Sequence, residues 1–312
     1  MTVAARTLRL GTRRSALALA QSGLVAETLR GHGHEVHLVE VVTEGDRSSA
    51  AVQQLGGTGV FVTELRARLT AGEVDVAVHS LKDLPTQPAT DLTLAAVPRR
   101  EDPRDALVST DSLVLAQLPQ GARVGTGAPR RMAQLRALGL GLDVVPIRGN
   151  VDTRLRKVTA GELDAVVVAA AGLARLGRLE EAAELLDPGQ MLPAPGQGAL
   201  AIECRADDDV AIELLRAALD DPPTRAAVTA ERVLLAALEA GCTAPVGALA
   251  DVAMGESGDD EIYLRAAVSS LDGSRALRLS ITGPVAESDR LGRQLAADLL
   301  EAGAAELIGE SS

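Results

Sequence analysis

Aromatic side chains are almost missing from this chain. Among 312 residues there is one Phe, one Tyr and no Trp, namely Phe61 and Tyr263. The core has to be assembled from Leu, Val, Ile and Ala, and the stacked-base platforms of single-strand nucleic-acid binders are excluded. A net charge of −12 likewise opposes loose binding to polyanions, so no nucleic-acid partner is expected. Lysine is nearly as scarce: Lys82 and Lys157 are the only two, and 29 of the 31 basic residues are arginine. Codon bias accounts for most of that ratio, but it makes each surviving lysine worth inspection. No run approaches the ~18 uninterrupted apolar residues of a transmembrane helix. Met1 to Arg9 contains no apolar signal core. The expectation is a cytoplasmic protein with no membrane partner. In a reducing compartment Cys204 and Cys242 are not expected to pair. His32, His34 and His37 cluster without acidic or Cys partners at ligand spacing, so no metal site is expected.

What is present alternates short β-branched runs with helical stretches, the mark of an α/β fold. A chain this long spans two or three domains. Candidate strands fall at 8–10, 36–42, 74–78, 92–97, 123–125, 144–147, 165–169 and 199–204. Helices are expected at 15–29, with Ser15 as N-cap, and at 63–70, 130–138 and 151–159. The chain also echoes itself. Leu69-Thr-Ala-Gly-Glu-Val-Asp-Val-Ala-Val78 matches Val158-Thr-Ala-Gly-Glu-Leu-Asp-Ala-Val-Val167, and Gly11-Thr12 before Arg13 matches Gly125-Thr126 before Arg130. Two α/β halves of one plan follow, ending near residues 99 and 198, with ligands expected at strand C-termini and helix N-termini. After Asp220-Asp-Pro-Pro-Thr comes a long helix to about Ala240. Strand runs at 246–253, 262–269 and 276–281 and a helix near 286–302 then make a third, smaller α+β domain.

Arginines concentrate at the expected strand–helix junctions: Arg13, Arg130, Arg131, Arg148, Arg154 and Arg175. Guanidinium groups there add forked donors to the positive ends of helices, which suits a ligand with several carboxylates. Arg130 and Arg131 point ~100° apart on a helix, so each is expected to serve a different anionic group. His79-Ser-Leu-Lys-Asp-Leu-Pro85 delivers Lys82 and Asp83 at a strand end, a candidate acid/base and anion-binding pair. Cys242, in a Gly-Cys-Thr-Ala-Pro loop, is a candidate nucleophile or attachment point, whereas Cys204 reads as a core strand residue. From these residues alone, a two-domain protein that closes on a polycarboxylate without chemistry stays open.

Seven ordered motifs narrow the choice. Gly11-Thr-Arg-Arg-Ser-Ala-Leu-Ala-Leu-Ala-Gln21, His79 to Pro85, Arg100-Glu-Asp-Pro-Arg-Asp-Ala106, Arg148-Gly-Asn-Val-Asp-Thr-Arg154, Ala171-Gly-Leu-Ala-Arg-Leu-Gly177, Pro195-Gly-Gln-Gly198 and Glu239-Ala-Gly-Cys-Thr-Ala-Pro-Val-Gly247 closely resemble the porphobilinogen deaminase (hydroxymethylbilane synthase) family. The resemblance implies two similar periplasmic-binding-protein-like α/β domains flanking a cleft, plus a small C-terminal α+β domain. It places them at 1–99 with 199–217, at 100–198, and at 218–312. It implies a transferase that joins four porphobilinogen molecules head to tail with loss of ammonia, then releases hydroxymethylbilane by hydrolysis. The primer it implies is a dipyrromethane cofactor, thioether-linked to Cys242. By position Asp83 is the catalytic aspartate. Lys82, Arg130, Arg131, Ser15 and Thr126 contact the cofactor, while Arg13, Arg148, Arg154, Arg175, Gln21 and Phe61 contact substrate. Monomer is the family expectation.

The implied chemistry suits these residue types. Each pyrrole brings two carboxylates, which the arginines match. A carboxylate beside the pyrrole N–H stabilises the positive charge left as ammonia departs, and a thiolate can capture the first such unit. Three departures from the family pattern stand out: Thr58 and Thr63 replace lysines common in relatives, and Gly127-Ala128-Pro129 replaces a common Ser-Ser-Leu before the paired arginines.

Overall fold

A computed structural model describes residues 5–41, 59–87, 89–240, 244–255 and 258–309, apart from the side chains of 59–61. Cys242 and Thr58 lie outside the described residues, as does the Phe61 side chain. The chain divides into two compact units, Met1–Arg100 with Ala199–Arg225, and Glu101–Gly198 with Ala226–Ser312.

In the first unit, strands β1 (Thr7–Arg13), β2 (Glu35–Val41), β3 (Val76–Ser80), β4 (Leu92–Ala96) and β10 (Leu200–Arg205) form a sheet in the order β2-β1-β3-β10-β4. Strand β1 runs parallel to β2 and β3, and β10 runs antiparallel to β3 and β4. Helices α1 (Ala16–Gly31), α2 (Gly59–Thr70) and α6 (Asp209–Leu219) accompany it. In the second unit, β5 (Asp105–Ser109), β6 (Arg123–Thr126), β7 (Asp143–Pro146), β8 (Ala165–Ala169) and β9 (Glu184–Leu185) take the order β7-β6-β8-β5-β9, with α3 (Pro129–Ala137), α4 (Val151–Thr159) and α5 (Ala170–Arg175). Here β6 is parallel to β7 and β8, and β5 is antiparallel to β8 and β9. The two sheets therefore share one plan, strand for strand.

The internal echo has a physical cause in that plan. Each copy ends its helix on a glycine of positive φ, Gly72 at 69° and Gly161 at 72°, a conformation that costs glycine nothing. Each then places an aspartate at the entry to the third strand of its sheet. Asp75 accepts the Arg9 N–H at 3.0 Å, and Asp164 accepts the Arg123 N–H at 2.7 Å. Both aspartates return their own N–H to the carbonyl of the same arginine. The repeated Thr-Ala-Gly-Glu-x-Asp is thus a device that starts a parallel strand beside its neighbour.

The rest of the second unit is the antiparallel sheet β11 (Val246–Met254), β12 (Asp260–Ser269) and β13 (Ala276–Pro284), packed with α7 (Pro222–Ala237), α8 (Ser288–Glu301) and α9 (Ala304–Gly309). The expected α/β class with a small C-terminal α+β region is what the described residues form. The antiparallel strand β5 was not expected from the sequence. Its pattern, Asp-Ala-Leu-Val-Ser, is a short apolar run behind a buried charge, and no periodicity separates it from a loop.

The cores are aliphatic. Leu8, Leu10, Val76 and Ile202 meet Val25, Leu29, Leu214 and Leu215 in the first unit, each burial contributing about 1.5–3 kcal/mol. Tyr263 is exposed, with the Arg265 guanidinium 5.3 Å from its ring centre. Cys204 lies within this core, where burial pushes its thiol up to about 11.

Besides Asp75, a second buried carboxylate interrupts the apolar interior of the first unit. Glu203 on β10 is 3% exposed and receives the Arg66 guanidinium through two bonds, of 2.9 and 2.7 Å. The His79 ring nitrogen Nε2 lies 3.3 Å from it, outside hydrogen-bond geometry. Burial alone would raise the Glu203 pKa, but His79 and Arg66 outweigh it and hold the group at about 2, against an ordinary value of 4.5. A carboxylate with a depressed folded-state pKa stabilises fully above its unfolded value and loses that contribution as pH falls through the folded one. The Glu203 contribution should therefore vanish between pH 4.5 and about 2. Glu203→Gln should cost about 3 kcal/mol at neutral pH, and its urea midpoint should fall less steeply over that acid window. Parallel midpoint curves for the two proteins would refute this role.

Candidate active site

Arg13, Ser15, Gln21, Lys82 and Asp83 lie on β1, on the helix that follows it and on the turn after β3. Arg13 is the last residue of β1 and half-buried. Ser15 caps α1, its Oγ accepting the Ala18 N–H at 3.3 Å, so the hydroxyl proton stays available to a ligand. Gln21, one helical turn and a half further on, is buried and donates to Ser80 Oγ at 3.0 Å. That bond, together with the Leu81 N–H donating to Ala199 O at 3.0 Å, anchors the end of β3. There the chain turns through a single 3-10 turn, Leu81–Asp83, rather than an open loop. Leu81 is buried beneath it, Lys82 is half-buried, and the Asp83 carboxylate is exposed.

The second unit repeats the arrangement with cations. Thr126 ends β6 fully buried, and α3 begins at once, with Pro129 in its first turn, where a missing N–H costs nothing. Arg130 and Arg131 follow, 4% and 5% exposed. They do not reach different anionic groups, as their helical spacing suggests. Both converge on Asp105, the first residue of β5. Arg131 Nε and Nη2 donate to Asp105 Oδ1 at 3.0 and 2.8 Å, and Arg130 Nη2 donates to Oδ2 at 2.8 Å. The buried carboxylate of an unforeseen strand redirects them.

Burial by itself would raise the Asp105 pKa, but the guanidinium groups of Arg130 and Arg131 hold it far below the usual carboxylate range. Arg130 is pulled down by burial, with Asp105 opposing. Arg130 Nη1 also donates to Leu192 O, while its Nε is buried with no hydrogen-bond partner. Two guanidinium charges thus face one carboxylate.

The remaining arginines lie at the ends of β7 and β8. Arg148 follows β7, exposed and without an ion-pair partner among the described residues. Arg154, on α4, donates from Nε to Gly149 O at 2.8 Å. Arg175 closes α5 and donates to Gly198 O at 2.6 Å, its pKa lowered by burial despite the opposing charge of Glu101. Gly127, one of the departures noted above, has a reason here. A Cβ at that position would stand 2.6 Å from Ile147 O and 3.3 Å from Arg154 Nη2, so glycine lets the Arg154 guanidinium approach the end of β6. Thr63 is an exposed residue of α2, and Ala128 makes no side-chain cap.

Asp105 and Gln197, which donates to it from Nε2 at 2.8 Å, are site-forming residues that sequence reasoning did not single out, although they lie in the Arg100-to-Ala106 and Pro195-to-Gly198 motifs. Their place in those motifs was the signal that could have drawn attention to them.

Comparison with known proteins gives the context for this arrangement. Residues 8–213 match the family model of the porphobilinogen deaminase dipyromethane cofactor binding domain, and residues 225–301 match that of the porphobilinogen deaminase C-terminal domain. A porphobilinogen deaminase of Nocardia farcinica is 59% identical over 309 residues, 97% of this chain and 88% of the relative. One from Streptomyces coelicolor is 58% identical, covering 98% of both chains, and one from Mycobacterium leprae is 57% identical, covering 96% of both. Among solved structures, a lipoprotein of Treponema pallidum aligns at 14% identity and a TM-score of 0.43, over 69% of this chain and 91% of that one. By family models and near full-length relatives, this chain belongs to the porphobilinogen deaminase family, transferases of tetrapyrrole biosynthesis that condense porphobilinogen on a dipyrromethane cofactor.

Proposed function

We propose that Asp83 is the catalytic carboxylate of this condensation and that Cys242 carries the dipyrromethane through a thioether. Lys82, Arg130, Arg131, Ser15 and Thr126 hold the carboxylates and pyrroles of the cofactor. Arg13, Arg148, Arg154, Arg175, Gln21 and Phe61 hold incoming porphobilinogen, four molecules of which are joined before hydrolysis frees hydroxymethylbilane. A monomeric, cytoplasmic enzyme without nucleic-acid or membrane partners belongs to the same proposal.

One observation carries this reading. The Arg130–Arg131–Asp105 cluster is buried and one positive charge in excess, with the Arg130 Nε proton unspent. A buried cationic excess is costly until an anion completes it. A pyrrole acetate or propionate has the charge and the planar fork to do so. The donor set therefore fits a dipyrromethane. When bound, that group supplies the free pyrrole end on which porphobilinogen units are assembled.

The remaining work falls to the chain. Asp83, exposed at its turn, can accept the pyrrole N–H and stabilise the positive charge that develops as ammonia leaves the porphobilinogen side chain. The same carboxylate can hold the proton passed to the leaving amine. The arginines orient the carboxylates of each unit, converting a solution encounter into a positioned one. Cys204, with its raised pKa and deep burial, is a poor nucleophile, which favours Cys242 for attachment.

Three outcomes test this. Intact-protein mass should exceed the sequence mass by one dipyrromethane and return to it in Cys242→Ala; an unmodified Cys242 in turning-over enzyme overturns the attachment. Asp83→Ala should lower porphobilinogen consumption by roughly 10²–10⁴-fold with an unchanged circular-dichroism spectrum. Near-normal turnover removes Asp83 from the role. Finally, because the cofactor completes a cationic excess, loaded protein should melt roughly 4 °C or more above apo Cys242→Ala protein. That gap should shrink when the same comparison is made in an Arg130→Leu background, and an undiminished gap argues against this cluster as the cofactor seat.

A further inference from the structure

Glu231, the single acid of α7, has no part in the reading above, yet it is buried with 0% exposure. Its carboxylate spans two backbone amides. The Gly196 N–H donates to Oε2 at 2.6 Å, and the Ala250 N–H on β11 donates to Oε1 at 2.8 Å. Alongside, the Ala248 N–H donates to Pro193 O at 2.9 Å, so the stretch from Pro193 to Gly196 is fastened to β11 from two sides. A charged side chain in this position costs desolvation that an apolar residue of equal volume would avoid. What it gains is control over where Gly196 sits.

The two residues after Gly196 reach the guanidinium groups. Gln197, also 0% exposed, donates from Nε2 to Asp105 Oδ1 at 2.8 Å and to Pro103 O at 2.7 Å. Its bond to Asp105 falls on the oxygen that Arg131 uses. Gly198 offers its carbonyl to Arg175. Three consecutive residues thus run from the grip of Glu231 to the carboxylate that fixes Arg130 and Arg131, and then to Arg175.

We propose that Glu231 is a positioning residue for this guanidinium cluster, acting through Gly196–Gly198. It rests on the reading of Arg130, Arg131 and Arg175 as groups that grip carboxylates. Arg175 is the member of this set read as gripping incoming porphobilinogen, and such a grip acts on bound substrate and transition state alike, so loosening it raises KM rather than lowering kcat.

The test uses full-length, cofactor-loaded protein, its loading verified by intact mass, with steady-state kinetics on porphobilinogen. Glu231→Gln keeps the volume but can accept at only one oxygen and turns an NH₂ toward the other amide. It should raise KM roughly tenfold with kcat within about threefold. Gln197→Met, which keeps bulk and loses the amide, should do the same. The double variant should remain near tenfold, because both act on one segment and their effects are not independent. A lower melting temperature with unchanged KM, or a double variant whose effects multiply to about a hundredfold, overturns the proposal. Should Glu231→Gln fail to fold, an unchanged KM in Gln197→Met overturns it by itself. Arg175→Lys separates the two failures. If it leaves KM unchanged, the carboxylate-gripping reading falls; if it raises KM while Glu231→Gln and Gln197→Met do not, only the positioning role falls.

Discussion

Two guanidinium groups made to share one buried carboxylate set the terms for the second unit. Asp105 can stay ionised with 0% exposure only because Arg130 and Arg131 donate to both of its oxygens. The arginines can be buried only because Asp105 returns part of their charge. Neither side is viable without the other, since an uncompensated charge in such a place costs several kcal/mol. That mutual need draws together the start of β5, the first turn of α3, and the Gln197 segment. It also leaves a remainder of one positive charge, and on that remainder rests the proposal that the cluster seats an anion.

The first unit shows what the same plan looks like when the charges close. Its sheet has the same strand order, and it too buries a carboxylate on the strand that runs antiparallel to the centre. There Glu203 meets a single guanidinium, that of Arg66, with His79 alongside. One guanidinium meets one carboxylate, so that cluster has no second arginine in excess. The carboxylate proposed above for catalysis lies a few residues on, at the exposed Asp83 turn whose strand His79 belongs to. The shared plan supplies the frame, and charge separates the two units: one carboxylate faces one guanidinium in the first, and one carboxylate is shared by two in the second.

Much of this was legible in the sequence, and for stated physical reasons. Strands β1, β3, β6 and β8 announce themselves through β-branched runs, and their neighbours through the Thr-Ala-Gly-Glu-x-Asp echo, because a helix stop and a strand start demand fixed residue types at fixed places. Ser15 at its cap and Val151–Thr159 as a helix follow from local rules alone. Arg13, Lys82, Asp83 and the paired arginines could be located because junction residues follow directly from strand ends. What stayed hidden is non-local. Strand β5 pairs with β8 some sixty residues later, and the sequence near Asp105 carries no periodicity to mark it. Consequently the sharing of Asp105 could not be read, and Arg130 and Arg131 were assigned separate anions from helix geometry. Gln197 and Glu231 were hidden for the same reason, since their partners lie 92 and 35 residues away.

The composition takes on a different meaning in this light. A buried lysine surrenders its proton readily, because losing the charge removes the desolvation penalty. A guanidinium, delocalised and far more basic than an ammonium, keeps its charge at neutral pH even where burial lowers its pKa, as it does for Arg130 and Arg175. It also presents several N–H groups at once, enough for Arg131 to hold Asp105 through Nε and Nη2 and still reach Val167 O with Nη1 at 3.1 Å. A lysine in either place would satisfy one contact and tend to neutralise. Codon bias accounts for the number of arginines; burial restricts the cluster at Asp105 to arginine. Lysine survives where the demand is weaker, at the half-buried Lys82 beside Asp83 and at Lys157, whose ammonium pairs with Glu162 at 2.6 Å on the helix surface. The net charge of −12 is then no obstacle to an anionic ligand, because the charges that decide binding are those that solvent cannot screen.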